Sequence, residues 1–282
     1  MNIFQDLKNQ YHTGGIVQRI IFWNVGVFVF VSLLDVILKV SKINFNLYEY
    51  IGLSSNVSKF ALHFWTLFTY MFVHADFFHL LSNIFVLWFS SFYFLSFFTV
   101  KQYTFVYFFG GIFAGIFYLL FNFFLTDNSL LVGASAAIFS VLFAVTIYAP
   151  YTEVKLFFIG YVKLWHIAFF IIFLDIIQMP FSNFSGHLSH FSGALFGLVF
   201  VKLLQNGRDV SKIVFNMFEN NNPKNNNSFS KVHINKNTSN LKKTHKTDLQ
   251  QKKVDDILDK ISKSGYDSLS TEEKQFLFKI GK

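Results

Sequence analysis

Residues 133–150 read GASAAIFSVLFAVTIYAP, an apolar stretch that contains no charged side chain. Five more segments are long and predominantly apolar, with at most two charged residues each, at about 17–38, 79–100, 103–125, 163–179 and 186–204. About 20 residues of helix, at ~1.5 Å rise per residue, cross the ~30 Å hydrocarbon core of a bilayer, and each segment is close to that length. None alternates polar and apolar residues, which argues against a β-barrel. We therefore predict an all-α membrane protein with six transmembrane helices.

The composition supports a membrane protein. Hydrophobic residues make up 53% of the 282 residues, 42 of them Phe, and charged residues only 14%. A soluble protein has charges at roughly a quarter of its positions. A soluble domain of this size could not bury so many aromatic side chains behind so few charges. The chain has no Cys, which excludes a disulfide framework and thiolate metal sites.

The positive charge is unevenly distributed and predicts the orientation. Residues 1–205 carry a net charge of +2, and residues 206–282 carry +6 of the total +8. Cytoplasmic ends of membrane helices are enriched in Lys and Arg. With six spans, one side receives both termini and six basic residues: Lys8, Arg19, Lys101, Lys155, Lys163 and Lys202. Only Lys39, Lys42 and Lys59 fall opposite. We predict cytoplasmic N- and C-termini, and we expect the compact body to reside in a bacterial inner membrane.

The C-terminal tail divides into two parts. Residues 206–250 are rich in Asn, Lys, Ser and Thr and are predicted to be a flexible linker. In residues 251–282, apolar residues recur at helical spacing, Gly265 follows as a stop, and Ser270 with Glu273 fits a capping box. This pattern predicts a small cytoplasmic helical hairpin, and the alternative is a solvated tail. The mixed charge fits attraction to anionic lipid as well as it fits nucleic acid, so no nucleic-acid partner is expected.

Several polar residues in the apolar segments have an ordinary structural interpretation. A polar side chain in a membrane is costly, so each is first a candidate for function. Asp35, Asn122 and Asp175 lie within a turn or two of a predicted span end and can reach the interface. His166 is near the cytoplasmic start of its span. Ser140 can bond to its own helix backbone and is interpreted as packing.

Two segments contain a possible nucleophile and base. Ser135 begins the fourth span between Gly133 and Ala136, where the unpaired N–H groups of a helix start can face an anion. The alternative is close helix packing by small residues. The sixth span reads His190-Phe-Ser-Gly193-Ala-Leu-Phe-Gly197. Its GxxxG pattern allows a neighbouring helix to approach closely, and His190 lies one turn earlier on the same face. The alternative is a hydrogen-bonded structural histidine.

The second span adds two hydrogen-bond donors at the same depth. His79 and Asn83 share one helix face at i,i+4 spacing, although such a pair can also simply join two helices. Counting helical rise from the cytoplasmic side places Ser135 about 22 Å and His190 about 18 Å into the bilayer. His79 and Asn83 begin their span in the same outer layer. A nucleophile, a base and oxyanion donors at one depth indicate acyl transfer.

These residues resemble the rhomboid family of intramembrane serine proteases over roughly residues 60–205. The resemblance rests first on residues 65–74, WTLFTYMFVH, followed by His79-x-x-x-Asn83. Residues 133–136, GASA, resemble the family's GxSG nucleophile motif, and residues 190–197 resemble its histidine helix. Two positions depart from the family pattern: Ala136 replaces a Gly, and Thr66 replaces the Arg that often follows Trp65.

The resemblance implies a six-helix, rhomboid-like membrane protease domain over residues 1–205 that cleaves transmembrane substrates in the lipid bilayer. It implies a Ser–His dyad without an Asp, with Ser135 as nucleophile and His190 as base. His79, Asn83 and the Ser135 backbone N–H would hold the oxyanion. Supporting positions are His74 in loop 1, Gly133, Ala136, Gly193, Gly197 and Phe139, whose ring would stack on His190. No cofactor or metal is implied.

Further roles follow from the same resemblance. The fifth span would form the lateral gate. His187 would be a water or gating contact, and the polar loop from Ser182 to His187 would admit water.

Two other functions are weighed against proteolysis. A non-enzymatic member, a membrane-binding or chaperone-like protein on the same fold, is supported only by Ala136. A metal-using membrane protein could be built on His74, His79, His187 and His190. This second alternative lacks an HExxH motif, and no acidic ligand is expected at matching depth.

Overall fold

The protein is helical over most of its length. The structure is a computed structural model and describes residues 3–125, 128–156, 159–181, 184–219 and 241–280. Its helices are α1 (Ile3–Thr13), α2 (Ile16–Val40), α3 (Tyr48–Ile51), α4 (Val57–Leu62), α5 (Thr66–Thr69), α6 (Phe77–Phe97), α7 (Val100–Leu125), α8 (Ser135–Tyr148), α9 (Leu164–Gln178), α10 (Phe184–Gln205), α11 (Val210–Glu219), α12 (Leu241–Ser264) and α13 (Thr271–Ile280).

Each of the six apolar segments contains one helix whose ends lie within a few residues of the predicted bounds. Four helices, α2, α6, α7 and α10, are long and apolar enough to cross a membrane. The other two are apolar but shorter, with 14 residues in α8 and 15 in α9. At ~1.5 Å per residue, α8 is only about 21 Å long, which is less than the thickness of the hydrocarbon core. A residue at the start of α8 can therefore lie below the bilayer surface.

Helix α8 is the centre of the bundle. Its residues from Ala136 to Leu142 and from Ala144 to Thr146 are buried on every side of the helix. It packs against α6, α7 and α10. A helix that is apolar all round is typical of such a central position. Ser135 is thus carried by a helix that is packed on all sides by the bundle.

Glycines bring the neighbouring helices close to α8. A methyl group at Gly193 of α10 would collide with the backbone oxygen of Ala136, and one at Gly197 would collide with that of Ser140. On the α7 side, a methyl group at Gly110 would collide with the side chain of Ser140. The close approach predicted from the GxxxG pattern is therefore present, and Ala136 does not prevent it.

Two short antiparallel sheets were missed by the all-α prediction. β1 (Leu53–Ser54) pairs with β2 (Leu130–Leu131), with Leu53 opposite Leu131. β3 (Glu153–Leu156) and β4 (Gly160–Lys163) form a hairpin between α8 and α9. Strands of two to four residues are too short to give a period in the sequence. The β1–β2 pair anchors the segment that leads into Gly133 and α8.

The loop between α3 and α6 is held by side chains that bond to backbone oxygens. Trp65 Nε1 donates to the oxygen of Tyr50 at 2.9 Å. Thr66 Oγ1 donates to that of His63 at 2.6 Å. Thr66 therefore stabilises the loop locally at the position where the family often has Arg.

The prediction of a flexible linker over residues 206–250 is wrong in part, because α11 and the beginning of α12 fall inside it. Val210, Val214 and Phe215 pack against the hydrophobic core of the membrane domain. Asp209 accepts a hydrogen bond from the Ser211 N–H at 3.1 Å, which helps to start α11. Because the segment as a whole is rich in polar residues, these few apolar residues were not recognised as the face of a helix. The Asn runs at 220–222 and 225–227 lie outside the described residues.

Helices α12 and α13 belong to a separate compact unit, residues 224–282. Between them, Gly265 has φ +77°, a left-handed conformation that favours glycine. The Ser270 N–H donates to Glu273 Oε2 at 2.7 Å, and the Glu273 N–H donates to Ser270 Oγ at 3.3 Å. These reciprocal bonds form the capping box that the sequence predicts.

Candidate active site

The start of α8 presents Ser135 to α10. Ser135 Oγ lies 2.6 Å from His190 Nε2, which is a short hydrogen bond between residues 55 positions apart. Gly133 leads into the helix with φ +116°, and its N–H donates to the Tyr70 oxygen at 2.9 Å. Ala134 at the N-cap provides no side-chain cap. The first N–H groups of α8 are therefore not capped by that side chain.

Gly133 also makes room for His79. A Cβ atom at Gly133 would lie 2.8 Å from His79 Nε2, tighter than real contacts allow. The same atom would lie 3.6 Å from Ser135 Oγ. Glycine at position 133 is thus required both by its positive φ and by the nearby imidazole ring. The His79 ring is held beside the nucleophile candidate.

The ring of His190 is held by stacking. Its centroid lies 4.6 Å from that of Phe139, with an interplanar angle of 22°. Phe139 is one helical turn after Ser135, so α8 supplies both the hydroxyl and the surface on which the imidazole rests. The ring contact expected for Phe139 is present.

A carboxylate that the sequence analysis did not place in the site completes it. Asp175 Oδ1 on α9 lies 2.8 Å from His190 Nδ1 and 2.6 Å from His187 Nδ1. Asp175 is only 7% exposed, so its interpretation as an interfacial residue is wrong. The expectation that no acidic ligand lies at the depth of the histidines is also wrong, because Asp175 contacts both His187 and His190. His187, which was expected to contact water or to take part in gating, also contacts this carboxylate.

The signal for Asp175 was present in the sequence. The fifth and sixth spans are consecutive, so the end of one and the start of the next lie in the same layer. An acidic residue near the end of a span therefore faces a pair of histidines spaced i,i+3 in the next one. An intramembrane carboxylate without a partner is costly, and this cost could have pointed to His187 and His190.

Asn83 lies in the site but its amide is already engaged. Asn83 Nδ2 donates to the backbone oxygen of His79 at 2.8 Å, one turn earlier on α6. An amide nitrogen carries two hydrogens, so a second one is left for a ligand. Ser135, His190, His79, Asn83, Asp175 and His187 all line one cavity of about 340 Å³. The structure therefore brings the predicted nucleophile, base and donors together. Ser182 and Asn183, predicted to admit water, lie outside the described residues.

His74 lies behind the site, in the loop before α6. Its ring is 1% exposed and packs edge to face on His79, with centroids 5.1 Å apart. Burial, reinforced by the neighbouring His79, lowers the pKa of His74 to about 4 from 6.5. The ring is therefore neutral at physiological pH.

The low pKa of His74 predicts an acid-sensitive fold. Because the unfolded chain binds a proton near pH 6.5 and the folded chain only near pH 4, stability is lost as the pH falls through this window. Between pH 7 and pH 5 the loss from His74 alone should be roughly 2 kcal/mol. The midpoint of unfolding of His74→Phe should fall less over this range than that of the wild type. His12→Phe, at an exposed position, is the control. Equal slopes for His74→Phe and wild type would contradict the prediction.

Comparison with known proteins identifies the class of this membrane protein. A family model described as the rhomboid domain matches residues 61–206, which include every residue of the cavity. The chain belongs to the rhomboid family, a family of intramembrane serine proteases. It is an integral, multi-pass membrane protein. Residues 240–280 match a second model, described as a family of unknown function, DUF6576. No curated protein and no solved structure matches the chain.

Proposed function

We propose that the protein is a serine endopeptidase that cleaves membrane proteins in or near their transmembrane segments, with Ser135 as nucleophile and His190 as general base. The observation that carries this proposal is the 2.6 Å hydrogen bond between Ser135 Oγ and His190 Nε2 inside the cavity. A serine hydroxyl needs an adjacent base to attack at neutral pH. The rhomboid family membership supports the same reaction.

In the acylation step, Ser135 Oγ attacks the carbonyl carbon of the scissile peptide bond while its proton passes to His190 Nε2. The negative charge develops on the carbonyl oxygen, where we assign the Ser135 N–H, His79 and the free hydrogen of Asn83 as donors. The tetrahedral intermediate then collapses. The C–N bond breaks, and His190 gives its proton to the leaving amine.

In the deacylation step, His190 removes a proton from water, and the resulting hydroxide attacks the acyl-serine ester. His190 then returns the proton to Ser135 Oγ as the new carboxyl terminus leaves. The polar face of the cavity, which includes Gln178 and Ser82, accommodates this water. The apolar bundle excludes water from the rest of the site. This exclusion strengthens the electrostatic interactions that stabilise both steps.

The route by which the substrate reaches the cavity passes between α6 and α9. An apolar pocket of about 340 Å³ lies between these helices, lined by Phe85, Val86 and Phe89 of α6 and by Ile167, Phe170 and Ile171 of α9. Val86 and Ile171 also line the cavity that contains Ser135. Helix α9 exposes most of its apolar side chains, as expected of a helix that faces lipid. A transmembrane segment can therefore approach Ser135 from the bilayer, which is the lateral route that the family resemblance implies.

The direct test is cleavage of a single-span substrate in proteoliposomes. Ser135→Ala should abolish cleavage. Ser140→Ala is the matched control, because Ser140 lies on the same helix with its hydroxyl bonded to the Ala136 oxygen at 3.1 Å. It should cleave at a rate near that of the wild type. Cleavage by the Ser135→Ala variant would refute the proposal.

A metal-dependent alternative has one observation in its favour. Asp175, His187 and His190 offer three ligand atoms within 4.8 Å of one another. However, one carboxylate oxygen already accepts from both imidazole rings, which accounts for the cluster without a metal. Under the metal alternative, a chelator would abolish cleavage, whereas the serine mechanism predicts no change.

Six membrane spans, cytoplasmic termini and a bacterial inner membrane remain part of the proposal.

A further inference from the structure

The carboxylate of Asp175 joins two helices of the site. It projects from α9 and meets two imidazole rings of α10, which share one face because His187 and His190 are three residues apart. Both Nδ1 atoms contact the same oxygen, Oδ1. A carboxylate oxygen only accepts hydrogen bonds, so each ring carries a proton on Nδ1.

This proton position decides whether His190 can act as a base. A neutral imidazole has one protonated nitrogen and one with a free lone pair. With the proton on Nδ1 and directed at Asp175, the lone pair is on Nε2, which faces Ser135 Oγ at 2.6 Å. In the other tautomer, Nε2 would carry the proton and could not accept one from Ser135. The contact with Asp175 therefore selects the reactive tautomer.

A purely structural role is a poor explanation for a charge at this position. Asp175 is 93% buried, and its second oxygen, Oδ2, has no hydrogen-bond partner among the described residues. Burying a carboxylate has a large desolvation cost, and apolar residues of similar size often stabilise a fold more. A negative charge beside His190 does have a use in the reaction, because it stabilises the imidazolium that forms when Ser135 loses its proton.

We propose that Asp175 is a positioning residue that orients His190 and fixes its tautomer, so that the site is a Ser–His–Asp arrangement spread over α8, α10 and α9. The inference rests on the proposed function of Ser135 and His190. It replaces the acid-free dyad that the family resemblance implies. It also links the two roles of α9, because the helix that borders the substrate route carries the carboxylate that prepares the base.

The kinetic test uses Asp175→Asn and Asp175→Ala in the full-length protein with a single-span substrate. Both variants should lower kcat on the order of 10²-fold or more, with KM changed by less than about threefold. His187→Gln should have a smaller effect, because Asp175 and His190 remain paired. The matched control is Asp35→Asn: Asp35 also lies in a membrane helix, α2, and pairs with Lys39 at 2.7 Å. It should leave kcat unchanged.

A spectroscopic test does not depend on how well the variants fold. In ¹⁵N-histidine spectra of the wild type, the His190 signal, assigned by its loss in His190→Asn, should report a proton on Nδ1. A proton on Nε2 would overturn the inference.

The kinetic outcomes also separate the inference from the proposed function. Wild-type kcat in Asp175→Asn, combined with an inactive Ser135→Ala, would overturn the role of Asp175 alone. Cleavage by Ser135→Ala would overturn the proposed function itself.

Discussion

Ser135→Ala, His190→Ala and the double variant are expected to lose the same amount of activity. Each should lower kcat by at least about 10³-fold, and combining them should cost nothing more. The reason is that the hydroxyl and the imidazole act as one unit through the 2.6 Å contact between Oγ and Nε2. Either group alone cannot form the acyl-enzyme. The measurement is kcat for a single-span substrate in proteoliposomes.

His12→Ala is the matched control for the histidine. His12 is exposed on α1 and lines neither the cavity that contains Ser135 nor the pocket between α6 and α9. This variant should retain activity. Losses that add in the double variant would mean that the two residues act independently, and the assignment of a nucleophile and its base would then fail.

Gly197→Ala is expected to give a large loss of stability. The added methyl would collide with the backbone oxygen of Ser140 and lie 2.8 Å from the backbone nitrogen of Ala144. Backbone atoms cannot rotate away as the end of a side chain can, so α8 and α10 must separate. Overpacking of this kind should lower the free energy of unfolding by about 3 kcal/mol. Activity should fall as well, because α10 carries His190.

The control for this prediction is Gly26→Ala in α2. A Cβ atom at Gly26 would meet no other atom within 4 Å. This variant should be as stable as the wild type or slightly more stable, because alanine favours helix over glycine by about 1 kcal/mol. The midpoint of unfolding in detergent measures both. If Gly197→Ala were as stable as Gly26→Ala, the helices would not approach as closely as described.

The sequence predicts the helical elements of this fold well, because the apolar composition of each segment is enough to mark it as a helix. Residues 133–150 are apolar on every face, and α8 occupies most of that segment. The spacing from Gly193 to Gly197 predicts a close helix contact, and the two glycines meet the α8 backbone. Such features depend on local composition and on helical period. Neither requires knowledge of which helices are neighbours.

The residues that the sequence analysis misjudged depend on contacts between distant segments. Asp175 resembles an interfacial carboxylate until α9 and α10 are placed side by side, and only then do two imidazole rings face it. The β1–β2 pair joins residues more than 70 positions apart through two residues on each strand. The apolar face of α11 was concealed by the polar composition around it. In each case the partner, and not the residue itself, determines the role.

The central claim is that Ser135 is a nucleophile activated by His190. It is tested most directly by reaction with a fluorophosphonate probe, followed by identification of the labelled residue by mass spectrometry. A single adduct on Ser135 is expected in the wild type. The adduct should be absent in Ser135→Ala, strongly reduced in His190→Ala, and retained in Ser140→Ala. An adduct on another residue, or labelling of Ser135 at the wild-type rate in His190→Ala, would contradict it.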